Sequence, residues 1–273
     1  VSEGTVEQVI AREASWCIVT GVAWEHSWGL LPDGCADVCC TDPPYSKAVH
    51  DNVRSAGRGD MPDVAEFECR TRRQVDLHFE YLTAADRRRL AAEMARITKF
   101  WNLVFSDTES AWLWKMSLQA RGMDYTRTAF WDRLGGAPSF HGNYPSPALE
   151  AITLTRNEKR SWNGGGKRAH YTHPIVANRK GQQGSRLNEA QKPLKLMMDL
   201  MVDFAEVGDL VVDFTCGSGT TGHAALLRGC RGVGFEKRVE MAETARERLR
   251  ALTAGSTIQA ARAGQTALFG GAR

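Results

Sequence analysis

The 273-residue sequence predicts an α/β fold with a mostly parallel sheet and helices on both faces. Three observations predict it. Short apolar runs of strand length alternate with segments of helical periodicity. One apolar run ends in two prolines, and another ends in a glycine-rich turn that opens a helix. Charged residues are 25% and the hydrophobic set 42%, ordinary values for a globular chain. Composition and length therefore exclude a disordered chain and a disulfide-scaffolded miniprotein.

Residues 1–14 are polar, and Trp16–Thr20 reads as a short strand. Leu30-Leu31-Pro32-Asp33-Gly34 is a turn, followed by a buried strand at Ala36–Cys40 and then by Thr41-Asp42-Pro43-Pro44-Tyr45. Proline cannot donate to a sheet ladder, so this segment lies at the strand's C-terminal end, where open α/β sheets bind ligands. Residues 46–82 form a long lid-like connection with six basic and seven acidic residues. Thr83-x-x-Asp86 caps a helix whose apolar stripe is Leu90, Met94 and Ile97. Trp101–Phe105 is a strand, and Glu109–Arg121 a helix carrying Trp112 and Met116. Tyr125–Trp131 and Ala151–Thr155 are strands. A helix at Pro193–Phe204, a strand at Leu210–Val212, a glycine turn, and a helix through Leu227 follow. Then come a strand at Gly232–Phe235, a helix at Val239–Leu252, and a flexible tail, 253–273.

Seven cysteines without framework spacing read as reduced thiols. Cys35-x-x-x-Cys39-Cys40 and His170-x-x-His173 lack zinc-site spacing, so no metal is expected. No apolar run of spanning length and no leader pattern is present, and a cytoplasmic protein is expected.

Two segments carry chemistry. In Asp213-Phe214-Thr215-Cys216-Gly217-Ser218-Gly219-Thr220-Thr221, the glycines allow close backbone approach to a ligand, and the following helix offers free N–H groups. Glu236 ends the next strand, 23 residues after Asp213, which suits a ribose diol. This is a nucleoside-cofactor site. It is not a P-loop, because no lysine follows the second glycine. In Asp42-Pro43-Pro44-Tyr45, a carboxylate and a stiff carbonyl offer two acceptors to an exocyclic amino group. Tyr45 offers a ring to stack on a flipped base. Holding both amino hydrogens frees the nitrogen lone pair for alkylation and stabilises the developing positive charge.

Together with Gln191-Lys192-Pro193, these motifs resemble the S-adenosylmethionine-dependent amino methyltransferases of DNA, in the permuted order of the β class. The resemblance covers roughly residues 30–252. It implies the Rossmann-like S-adenosylmethionine methyltransferase fold, with one catalytic domain in two parts, 1–155 and 191–252. A short basic recognition insertion, 156–190, lies between them. It implies catalytic roles for Asp42, Pro43, Pro44 and Tyr45. It places the cofactor on Asp213, Phe214, Gly217, Ser218, Gly219, Thr220, Thr221 and Glu236, with Lys192 and Pro193 near its carboxylate. Phe130-Trp131-Asp132-Arg133 and Glu150 also resemble family segments. The family commonly has Asp-Pro-Phe before the glycines; here the residues are Asp213-Phe214-Thr215, with the phenylalanine moved by one position. The Asp form of the catalytic motif favours adenine N6. Cytosine N4, an RNA adenine substrate and a non-catalytic nucleic-acid binder remain alternatives. Glutamine-modifying relatives begin their motif with Asn and put the cofactor motif first, unlike this chain.

The net charge of +3 hides an asymmetry. Residues 156–195 hold ten basic and two acidic side chains, a local +8 that leaves −5 for the rest. Basic and aromatic residues interleave there, as a base-reading loop needs. Arg160, Trp162, Lys167, Arg168, His170, Tyr171, Arg179, Lys180 and Arg186 are the expected contacts to double-stranded DNA. Gln265-Thr266-Ala267-Leu268-Phe269 resembles peptides that dock on bacterial sliding clamps. Family members are often homodimers, though no apolar seam in the sequence marks one.

Overall fold

The structure, a computed structural model, describes residues 1–44, 82–134, 147–176, 187 and 191–263. The strands are β1 (Trp16–Thr20), β2 (Ala36–Thr41), β3 (Thr98–Ser106), β4 (Asp124–Asp132), β5 (Leu149–Arg156), β6 (His170–Thr172), β7 (Leu210–Asp213) and β8 (Arg231–Glu236). They form one sheet in the order β1-β8-β7-β2-β3-β5-β4-β6. Every neighbouring pair is parallel except those of β5, which runs antiparallel to β3 and β4. The expected mostly parallel α/β sheet is therefore present, with one reversed strand inside it.

Side chains alternate across the strands and so serve two cores. Val104 and Val212 pack with Leu90 and Met94 of the helix Ala84–Ile97 and with Trp114 and Leu118 of the helix Ala111–Gln119. Leu103, Phe105 and Val211 face the other way, against Leu196, Leu200 and Phe204 of the helix Leu194–Phe204. On the far side Trp16 and Ile18 pack on Ala245 and Leu249 of the helix Val239–Thr253. Thr83 caps its helix as its spacing predicts, accepting from the Asp86 N–H.

Three features add to the sequence reading, and one expectation needs correction. A helix at Ala23–Leu30 precedes the turn at Leu31–Gly34. In the helix Ala111–Gln119, Ala111, Trp114 and Leu118 form the buried stripe, and Trp112 and Met116 point outward. Within the basic insertion a short strand, β6, pairs with β4. The stretch after 253 contains a capped helix, Ile258–Arg262, whose Arg262 pairs with Glu247 at 2.6 Å. The lid-like region up to 81 and residues 265–269 lie outside the described residues. Among the described residues no helix is long and apolar enough to cross a membrane.

Candidate active site

The two chemical motifs meet at the centre of the sheet. β2 and β7 are neighbours, with Val38 opposite Val211 and Cys39 opposite Val212. Their C-terminal ends therefore open side by side, β2 into Asp42-Pro43-Pro44 and β7 into the glycine turn. Tyr45 lies outside the described residues.

After β7 the chain turns on Gly217 (φ 52°) and Gly219 (φ 77°), both left-handed. A Cβ on Gly219 would stand 3.0 Å from the Ala245 Cβ, so the glycine also admits the neighbouring helix. Gly222 completes a Gly-x-Gly-x-x-Gly spacing and lies against Leu249. Thr220 starts the helix Thr220–Leu227, so the free N–H groups of its first turn sit at the sheet's open end. Glu236 ends β8 and is largely buried. One carboxylate oxygen accepts from the Gly217 N–H at 2.9 Å and the other from the Arg238 N–H at 2.9 Å. A carboxylate has lone pairs beyond these two bonds. The donor-and-acceptor set of this pocket fits a nucleoside with an amino-acid tail: a carboxylate for a diol and helix N–H groups for an anion.

Asp213 lies beneath the turn. It is buried, and its carboxylate accepts from the Thr215 N–H at 2.9 Å. Burial pushes its pKa up to about 7, against hydrogen bonds from Thr221, Thr215 and Thr41 and with the nearby Asp42 charge adding to the rise. Phe214, expected on the cofactor, instead points into the core and stacks on Phe235 with ring centroids 5.9 Å apart.

Lys192 lies between two carboxylates of the protein itself. Its Nζ lies 2.8 Å from Asp42 Oδ2 and 2.7 Å from Glu150 Oε2, and Arg133 pairs with the other Glu150 oxygen at 3.1 Å. A charge chain Asp42–Lys192–Glu150–Arg133 thus runs from the catalytic motif across the ends of β5 and β4. Lys192 is almost wholly buried, over the rings of Phe105 and Trp131. Burial alone would lower its pKa, but the Asp42 and Glu150 carboxylates outweigh that and hold it above the usual lysine value. Pro193 is the cap residue of the helix that follows.

Arg248 carried no assignment from the sequence. It reaches from the helix Val239–Thr253 to the Ser218 carbonyl at 2.9 Å and Thr220 Oγ1 at 2.7 Å, and burial lowers its pKa to about 10. The signal was a charged residue interrupting the apolar stripe Ala242, Ala245, Leu249.

The expected DNA-contact residues divide. Lys167 and Tyr171 both bond the buried Asp203, at 2.7 and 2.9 Å. Arg160 pairs with Asp209 at 2.7 Å and Glu206 at 3.3 Å. Trp162 packs on Phe204. These four hold the insertion to the helix Leu194–Phe204 and the loop after it. Part of the local +8 is therefore neutralised within the protein. Arg168 and His170 are exposed, with His170 3.8 Å from Asp132. Arg179, Lys180 and Arg186 lie outside the described residues.

A DNA methylase family model, N6_N4_Mtase, matches residues 36–247. The Type II methyltransferase M2.DpnII of Streptococcus pneumoniae is 24% identical over 239 residues, 79% of this chain and 82% of that protein. The M1.HpyAVI–SAM complex superposes with a TM-score of 0.59 at 19% identity, covering 85% of this chain and 99% of that one. The cytosine-N4-specific PvuII DNA methyltransferase gives 0.62 at 14% identity, covering 89% and 86%.

Proposed function

This chain belongs to the DNA methylase family, and within that family we propose that it methylates the N6 amino group of adenine in double-stranded DNA, using S-adenosylmethionine. The observation that carries the reading is the adjacency of Asp42-Pro43 and the glycine turn at the ends of β2 and β7. The cofactor's chemistry is an electrophilic methyl group on a sulfonium.

Gly217 to Thr221 and Glu236 would hold that cofactor, with Glu236 on the ribose hydroxyls. Asp42 and the Pro43 carbonyl accept the two hydrogens of the target amino group and orient its lone pair. As the nitrogen gains positive charge, the Asp42 carboxylate is the nearby anion that stabilises it and takes its proton. Lys192, fixed by Glu150, pairs with that carboxylate and aims it. A base must leave the duplex to reach these groups. Adenine is favoured over cytosine by the Asp form of the motif. The fold alone does not choose, since a cytosine-N4 enzyme shares it.

Expression in a methylation-free host, followed by modified-base sequencing, tests the reading. N6-methyladenine at a fixed DNA sequence, lost in Asp42→Ala, is the expected result. N4-methylcytosine at that sequence would overturn the choice of base. Transfer to RNA in preference to DNA would overturn the substrate.

A further inference from the structure

We propose that Thr41 and Thr215 are positioning residues, whose bonded hydroxyls fix the catalytic strand end to the cofactor turn. The inference rests on the function proposed above. Backbone pairing between β2 and β7 includes Val38↔Val211 and Cys39↔Val212 and goes no further toward the site. Beyond it the two segments diverge into the loops that carry the chemistry. There Thr41 Oγ1 lies 2.8 Å from Thr215 Oγ1, across 174 positions of sequence. Thr41 is 1% exposed and Thr215 is half-buried, so the bond is partly removed from water.

Each hydroxyl carries one proton, and either can donate in this bond. The Thr215 N–H donates to the buried Asp213 carboxylate at 2.9 Å. Asp213 thus holds Thr215 at the root of the glycine turn, and Thr215 holds Thr41 at the end of β2. Asp42 is the next residue after Thr41, and Gly217 is two after Thr215. Methyl transfer needs donor and acceptor at one separation and alignment, and a misplacement of about 1 Å costs about 10²-fold in rate. Thr215 occupies the position where the Asp-Pro-Phe pattern has its aromatic ring, so the bridge is a feature of this chain's own sequence.

The test uses the full chain with Thr41→Val, Thr215→Val, the double variant, and the serine substitution at each position. Single-turnover methylation of DNA should fall about 10- to 100-fold in each valine variant. The KM for S-adenosylmethionine should change by less than about threefold, because the groups that touch the cofactor are untouched. The double variant should be no slower than the slower single, and serine should restore most of the rate. On the ligand-free protein, the urea midpoints of the two valine variants should combine non-additively. Additive losses, unchanged rates, or a rate loss matched by lost cofactor affinity would each overturn the bridge. If the wild-type chain methylated no DNA, the parent reading would fail, and additivity of the urea midpoints alone would then decide whether the bridge exists.

Discussion

Replacing Lys192 by methionine keeps a long unbranched stem and removes the positive charge that lies between Asp42 and Glu150. The side chains of Lys192, Glu150 and Asp42 are 10%, 8% and 22% exposed, so water replaces little of the lost interaction. Removing one partner of a buried ion pair costs about 3–5 kcal/mol, because the remaining charge is stranded. Glu150 retains Arg133, which limits its share, and the greater exposure of Asp42 limits the other. The total therefore stays near the range for one pair. In a chain of this size that corresponds to a fall in Tm of roughly 6–20 °C. Urea denaturation of Lys192→Met and Lys192→Arg at low and high salt measures it. The methionine variant should lose about 3–5 kcal/mol at both salt concentrations, since buried pairs are little screened, and arginine should keep most of it. A methionine variant within about 1 kcal/mol of wild type, inside the ordinary spread of point substitutions, would refute the charge chain as a coupled unit.

Other expectations follow from the same geometry. Asp213 has its pKa raised to about 7, so its contribution to stability is full below the ordinary aspartate range and is lost as pH rises through about 7. In Asp213→Asn, the decline in stability from acid toward neutral pH should be shallower, and parallel profiles would remove that assignment. Gly219→Ala forces φ 77° on an alanine and a contact with Ala245, so it should destabilise the chain by about 1–3 kcal/mol and weaken cofactor binding measured by calorimetry. Arg160→Ala should lower the urea midpoint and leave the salt dependence of DNA binding unchanged. Arg168→Ala should do the reverse, lowering the slope of log K against log salt by about 0.9 for one phosphate contact. Equal effects of the two would mean that internal pairing does not decide which basic residues meet DNA.

What could be read from the sequence was whatever local pattern alone decides. Thr83 with Asp86, the alternation of elements, the paired prolines and the glycine turn all depend on neighbours within a few residues, and all appear where expected. What could not be read depended on partners distant in sequence. Lys192 is 42 residues from Glu150, and Lys167 is 36 from Asp203. No spacing in a basic segment says which of its charges will meet an acid from another element. The reversal of β5 was hidden for a similar reason, because an apolar run has no direction. Phe214 lies just before the glycine turn, and only its stacking on Phe235, 21 residues on, reveals that it faces the core.

The strand order also constrains how the chain is made. β1 pairs with β8, and β2 with β7, so each of these early strands has a neighbour that lies far along the chain. At a ribosomal rate of about 5–20 residues per second, β1 waits roughly 10–40 s for its partner. Until β7 emerges β2 presents one bare edge, and until β8 emerges β1 has no sheet to join. Closure by the last segment therefore completes the hydrogen-bonded ladder and the chemical centre in the same event, and a nascent chain that stops before β7 holds Asp42 without the pocket that would make it reactive.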